Sequence, residues 1–323
     1  MLYDDIRSDR LLIEAELVPV QGSRFQPTGF PDLGAATYRG PEGTDMVLVE
    51  SVQSMANRLE KTVWDDNAKD LVPALRGLPY VKVFDGQGQY LTSSITEAHR
   101  LNSPYVMDAE TENGATFLDV LKREFDVEAV GLPSGSQLAS VLIRHDVNTL
   151  LHGIFFARPD LFGGRLRLSR MLSAFVEARG VSVAMSGGVK LDHVDPSGDS
   201  KSGRGHVPFS RQEFSAEKIT AYFNLDLAEL AGLGLSPTLN DLAVGLGLYK
   251  IQALLQNGMR FRTACDFRVV ETRVTQPEEF ELPSLASLEE TLVDLIQRAS
   301  NEGSFANPSV TRLVYRKPLK EKK

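Results

Sequence analysis

Six consecutive residues, Gln21-Gly22-Ser23-Arg24-Phe25-Gln26, follow directly on a strand-like run and bring together a forked cation, a hydroxyl, two amides and an aromatic ring. The guanidinium of Arg24 matches the geometry of a phosphate, and Gly22 would let another backbone approach closely. Phe25, and Phe30 beyond it, can stack on bases, a contact worth roughly 1–3 kcal/mol where it forms. Anchoring the loop on the core is the other use of the same rings. Further on, Ser51, Ser54 and Arg58 would share one flank of a helix. Hydroxyls and arginine there can hydrogen-bond phosphate oxygens, which positions a strand without reading its sequence. A solvated helix flank accounts for them equally.

Other residues offer less. Asp32 sits in the same Gly/Pro-rich stretch. A loop carboxylate can hold Mg2+ and activate water for phosphodiester cleavage, but no partner for it is evident, and a turn aspartate is the plainer account. His145 and His152 stand seven apart on one expected helix and would share a face, a spacing that admits a metal without favouring one. A satisfied histidine at the core edge is simpler. His193 and His206 flank a Gly-rich loop and suit contact with a polyanion or with solvent. Cys265 falls beside Phe267 in an apolar strand pattern and reads as core. No G-x-G-x-x-G after a strand, Walker lysine motif, G-x-S-x-G or H-E-x-x-H occurs, which counts against the nucleotide-dependent enzymes and hydrolases that use them. No catalytic residue, metal site or cofactor is assigned.

These residues need elements to hold them. Arg10–Val20 has the alternation of a strand, and residues 21–45, with Gly22, Pro27, Gly29, Pro31, Gly34, Gly40, Pro41 and Gly43, read as a long loop of the functional kind. Met46–Lys61 is expected as a helix, with Leu48, Val52, Met55, Ala56 and Leu59 on one face. Val81–Tyr90 has the pattern of a hairpin. Thr116–Phe125 is expected as a helix opened by Thr116 and Asp119, and Gln137–His152 as another, stopped by Gly153. Residues 165–178 admit either strand or helix. Val181–Asp192 reads as a strand broken at Gly187-Gly188, and residues 195–208 as a mobile hairpin tip. Glu217–Leu227 alternates as a strand. Asp241–Asn257 is apolar all round, a buried helix capped by Asn240 and stopped by Gly258. Arg260–Val270 is expected as a strand, and Ser287–Ala299 as a helix opened by the Ser287-x-x-Glu290 capping box. The tail KPLKEKK would be solvated. The irregular mix of helices and strands indicates an α+β fold.

With 323 residues, 42% of them hydrophobic, the chain can build a sizeable core. Its single Cys excludes an intrachain disulfide or a cysteine zinc cluster. No apolar run approaches the roughly 20 residues of a membrane span, and the charged start MLYDDIRSDR does not read as a secretory signal, so a cytoplasmic protein is expected. The net charge of −8 argues against a uniformly basic nucleic-acid binder. That charge is segregated, however: residues 108–128 and 278–294 are acidic, Arg158, Arg165, Arg167 and Arg170 form a basic run, and residues 190–211 mix both signs.

Three stretches carry a resemblance: ELVPVQGSRFQPTGFPDLGAATY (16–38), LVESVQSMANRLE (48–60) and NGMRFRTACDF (257–267). They resemble the CRISPR-associated RAMP-superfamily backbone subunit of the type I-U (I-G) Cascade effector complex, over about residues 11–270. The resemblance implies an RRM-like (ferredoxin-like) palm from residues 1–64, 161–179 and 216–275. It further implies an insertion subdomain at 65–160, a β-hairpin thumb at 180–215, and a C-terminal helix and basic tail at 276–323. It resolves the ambiguous segment as a strand. In such a backbone, copies stack head to tail along a CRISPR RNA, and guide pairing with target DNA reads sequence while protein reads shape and phosphate. By position, Gln21, Gly22, Ser23, Arg24, Phe25 and Gln26 with Ser51, Ser54, Asn57 and Arg58 would grip the RNA, and Lys190, Lys201, Arg204, His206 and Arg211 would belong to the thumb. The implied partners are CRISPR RNA, target DNA, further copies of the chain, a large subunit and a RAMP-type capping and processing subunit, with no membrane. The implied role is non-catalytic. Related backbones cut target RNA with a loop aspartate, which keeps metal-dependent cleavage through Asp32 as an alternative. An unrelated soluble α+β enzyme would rest on composition alone.

Overall fold

A computed structural model of the chain describes residues 2–30, 32–128 and 131–317. The side chain of Phe30 and residues 318–323 of the basic tail lie outside the described part. Arg10–Pro19 (β1) buries Leu11, Ile13, Ala15 and Leu17 and leaves the residues between them half-exposed, as a strand with one face on a core must. Thr37–Arg39 (β2), Asp45–Glu50 (β3), Leu172–Arg179 (β4), Lys218–Asp226 (β5), Met259–Arg262 (β6) and Cys265–Gln276 (β7) join it. The sheet order is β6-β7-β1-β5-β4-β3-β2, with every neighbouring pair antiparallel. Two helices, Val52–Lys61 (α1) and Pro237–Gln256 (α2), cover its buried face, α1 against β4 and α2 against β5. The ambiguous segment is therefore a strand over Leu172–Arg179, and the expected α+β class holds.

Between α1 and β4 the chain builds a second layer. Tyr80–Asp85 and Tyr90–Ser93 form the expected hairpin, and Val310–Tyr315 returns from the far end of the chain to lie parallel to Tyr80–Asp85. Between β4 and β5, Ser182–Lys190 and Val207–Ser215 pair residue for residue as a long hairpin outside the main sheet. No helix among the described residues is long and apolar enough to cross a membrane.

Several local expectations are corrected. Met46–Lys61 is not one helix: Asp45–Glu50 is a strand paired on both sides, with β4 and β2, and the helix starts only after Ser51, whose Oγ accepts the Ser54 N–H at 3.3 Å. Gln137–His152 is two helices, Gly135–His145 and Val147–His152, because Asp146 adopts an extended backbone and caps the second. Arg260–Val270 is a tight hairpin, β6 and β7, turning at Thr263-Ala264. The strand at 182–190 runs through Gly187-Gly188 unbroken, and a Cβ on Gly187 would stand 2.8 Å from the Phe209 carbonyl. Helix α2 begins after Ser236, not Asn240, and the last helix, Leu285–Asn301, is capped by Ser284, not Ser287.

Where α1, α2 and the second layer meet, charge is buried. Lys250 is fully buried with its Nζ 3.0 Å from His152 Nε2, and Arg100 pairs with Glu60. Burial holds the Lys250 ammonium down to about 8, against the pull of Glu60 and Asp146. Burial first, then the charge of Lys250, holds His152 well below its ordinary value. The unfolded chain binds a proton at Lys250 up to about pH 10.4 and the folded one only up to about 8. This group's contribution to stability thus rises with pH between those values. Lys250→Met is expected to flatten the gain in urea-unfolding stability between about pH 8 and 9.5 relative to the parent protein.

Candidate nucleic-acid interface

The site is organised by one carboxylate. Glu50, at the end of β3, is 1% exposed. It accepts the Ser54 hydroxyl, the Arg58 guanidinium through Nε and Nη2 at 3.3 Å each, and Arg262 Nη2. Arg58 also donates to the carbonyls of Arg260 and Phe261, at 3.2 and 2.7 Å, and lies 4.9 Å over the Phe261 ring. Arg262 donates to the Gln26 carbonyl at 2.9 Å and to that of Val49 at 3.3 Å. Two guanidiniums on one buried carboxylate leave a positive surplus, and each arginine side chain is still more than a quarter exposed.

The loop 21–28 lies across this junction. Phe25 bridges Phe214 at the root of the long hairpin, each N–H donating to the other's carbonyl at 2.8 Å. The Gln26 N–H donates to Ala264 O at 2.7 Å, and the Thr28 N–H to Val49 O at 2.9 Å. Phe25 itself is 1% exposed and meets Phe267 edge-on at 5.6 Å. It anchors the loop and is not available to stack on a base, which corrects that expectation. Gly22 is needed for its left-handed φ of 71°, and no neighbour stands close to it. Gln21, Ser23 and Arg24 are exposed. Arg24 pairs with Glu213 of the hairpin at 3.3 Å and keeps 57% of its side chain exposed.

Between loop, hairpin and β6 lies a polar cleft of about 430 Å3, lined by Gln26, Thr28, Ser210, Arg211, Gln212 and Arg262 with the short ribbon Gly29–Ala35. Its donors are two amides, two hydroxyls and two guanidiniums, the groups that hold phosphate and sugar oxygens. Arg211 is exposed, 5.5 Å from the Phe209 ring.

The structure brings Gln26 and Arg211 together in the cleft, pairs Arg24 with Glu213 beside it, turns Ser54 and Arg58 inward to Glu50, and uses Ser51 to cap α1. Asn57 is exposed and opens on a different cleft, beside Lys61, Trp64 and Glu97. Lys190, Lys201, Arg204 and His206 lie at the far end of the hairpin, which with nine residues per strand is about 30 Å long. There Asp192 organises the tip: its carboxylate accepts the N–H groups of Val194, Asp195 and Gly205, which lowers its pKa, and its own N–H donates to His206 Nδ1 at 3.1 Å. Asp32 is exposed at the turn of the Gly29–Ala35 ribbon, and among the described residues no three His, Cys, Asp or Glu side chains converge as metal ligands. His145 and His152 do not share a site. His145 Nε2 pairs with Glu124 at 2.7 Å, and His152 with Lys250. Cys265 is buried core, its thiol pushed up to about 12 chiefly by burial.

Residues 11–183 match the family described as CRISPR-associated protein GSU0053 (Cas_GSU0053). The chain belongs to that family. Among solved structures it is similar to a chain titled "CRISPR RNA-guided surveillance complex, pre-nicking". That likeness has 12% identity over 91% of this chain and 88% of the other, with a TM-score of 0.43. It is also similar to Csc2 of Thermofilum pendens, at 11% identity over 93% and 80% of the two chains, with a TM-score of 0.31. No curated protein matches the chain.

Arg262, Gln212 and Thr28 were not singled out by sequence. Arg262 lay within the 257–267 motif but read as an outward strand residue, because only the curl of the sheet carries it to Glu50. Glu50 was placed inside a helix and so had no reason to be noticed. Removing its charge should loosen this junction. Glu50→Gln is expected to cost about 2 kcal/mol in urea unfolding, since two charge-assisted contacts weaken. A change below 0.5 kcal/mol would show that the carboxylate is dispensable.

Proposed function

We propose that this protein is a non-catalytic, multi-copy backbone subunit of a Cascade-like complex that holds CRISPR RNA while the guide pairs with target DNA. Membership of the CRISPR-associated family supports the biological setting. The observation that carries the reading is the cationic cleft between loop 21–28, the root of the long hairpin and β6, where Arg211 and Arg262 come from distant parts of the chain to meet Gln26 and Thr28, with Arg24 exposed nearby on the same loop and paired to Glu213 of the hairpin. The central order β7-β1-β5-β4 with α1 and α2 on one face is the pattern of an RRM-like palm, formed by residues 1–64, 161–179 and 216–275. The hairpin at 180–215 is its thumb, residues 65–160 are the insertion, and residues 276–323 supply the C-terminal helix and tail.

In this reading Gln21–Gln26 and Arg211 track the RNA backbone, Glu50 with Ser51, Ser54 and Arg58 holds that surface in place, and Lys190, Lys201, Arg204 and His206 act where the thumb meets the guide. Asn57 lies at the margin of the grip. The net charge of −8 is compatible with this role, because a thin basic track repeated along a filament suffices. Target DNA is met through the guide, and neighbouring copies, a large subunit and a capping and processing subunit complete the assembly.

The combined Arg24→Ala and Arg211→Ala variant is expected to bind single-stranded CRISPR RNA more weakly. Its slope of log K against log salt should be shallower by ~1.4, because two phosphate contacts release fewer counterions. Unchanged affinity and slope would remove the palm assignment. Complementary RNA incubated with assembled complex and Mg2+ should stay intact. Periodic cuts that vanish in Asp32→Ala would instead make Asp32 a catalyst.

A further inference from the structure

The basic run Arg158–Arg170 has no part in the cleft. It belongs to a small ribbon in which Ile154 and Phe155 pair with Leu168 and Arg167. The ladder continues with the Phe156 N–H donating to Leu166 O at 2.9 Å. Both strands alternate: Ile154, Phe156, Leu166 and Leu168 are buried, while Phe155 is 55% exposed and Arg167 is exposed. Phe155 and Arg167 are directly paired, so their side chains leave the same face about 5 Å apart at Cβ. Phe155 cannot turn inward without moving its buried neighbours out, because a one-residue slip exchanges the two faces.

The backbone is bent to hold this ribbon. Gly153, with φ of 71°, passes so close to Leu168 that a Cβ would stand 2.8 Å from its carbonyl oxygen. At the turn, Phe162, Gly163 and Gly164 take φ of 51°, 69° and 70° in succession. A phenylalanine in that region is strained, and it is held there with its ring packed on the core. Arg165 donates through Nε to the Phe162 carbonyl at 3.0 Å, which fixes the base of its guanidinium while the side chain stays exposed.

Charge around the ribbon is one-sided. Residues 153–170 hold four arginines against one aspartate. Arg158 is paired with Asp108, Asp160 with Lys122, and Arg170 donates to backbone carbonyls of His152 and Val52. Arg165 and Arg167 keep their charge unpaired: among the described residues neither has an acidic partner. An outward aromatic ring beside two unpaired guanidiniums is the chemistry of a stacking platform for single-stranded nucleic acid, base on ring and phosphate on arginine.

We infer that the ribbon 153–168 is a second contact for a single-stranded polynucleotide, with Phe155 stacking on a base and Arg165 and Arg167 on the flanking phosphates. Both contacts, base on ring and phosphate on arginine, are made to groups that RNA and DNA share, so both are expected to bind. The inference does not depend on the cleft. The test is ultraviolet cross-linking of the full chain to oligonucleotides carrying 5-bromouridine or 5-bromodeoxyuridine, with adducts mapped by mass spectrometry. Adducts are expected on the peptide containing Phe155, from both sugars. Phe155→Ala should abolish them and weaken oligonucleotide binding five-fold or more, Phe155→Trp should retain both, and Arg167→Gln should make the salt slope shallower by ~0.7. These adducts persist in the Arg24→Ala and Arg211→Ala variant even if the cleft reading fails. Absence of adducts between residues 145 and 168, or adducts and affinity unchanged in Phe155→Ala, would overturn the inference and leave the ribbon to a protein partner or to solvent.

Discussion

The Glu50 carboxylate closes the sheet. In strand order β3 and β6 stand five places apart, yet Arg262 of β6 reaches Glu50 and the Val49 carbonyl of β3. A twisted sheet of seven strands can curl far enough for this, and the ion cluster with loop 21–28 seals the gap that remains. An isolated buried carboxylate would be costly. Here Ser54, Arg58 and Arg262 satisfy it, and both arginines go on to carbonyls across the seam. The cluster fixes at once where α1 begins, how the β6–β7 hairpin folds over, and where loop 21–28 runs.

Function follows from what that closure leaves outside. The loop is pinned from within by Phe25 and from both sides by backbone bonds to Ala264, Val49 and Phe214, so its exposed residues Gln21, Ser23 and Arg24 sit on a rigid base. The long hairpin is rooted at the same point through the Phe25–Phe214 bridge and Arg24–Glu213. A cationic cleft between a rigid loop and a projecting arm is thus a by-product of sealing the sheet, and a protein with net charge −8 can concentrate positive charge there without becoming basic overall.

Much of this was legible in the sequence where local rules dominate. Alternation placed β1 and β5, apolar character all round placed α2, Thr116 with Asp119 marked a capping box, and Gly153 marked a helix stop. Errors gathered where tertiary contacts overrode periodicity. Residues 46–50 fit a helical face on paper, but the place between β4 and β2 was open to them and Val47 and Val49 suit a buried strand there. Residues 137–152 held together as one pattern until Asp146, fully buried beside Asn148, broke the run and capped the next turn. The strand at 310–315 gave no sign that it would return across more than 200 residues to lie beside Tyr80–Asp85.

By itself the sequence determined the α+β class, the central strands and helices, and three motifs distinctive enough to point to a CRISPR-associated family. Those properties are written in short-range patterns and residue identity. Only the tertiary structure decided which candidates face solvent. It buried Phe25, turned Ser54 and Arg58 toward Glu50, and brought Arg262 into the cleft from the opposite edge of the sheet. It also left Phe155 and Arg167 outward on a ribbon whose alternate residues are core. The reason is physical: which side of an element meets water depends on what packs against the other side, and for these residues that partner lies far away in the chain.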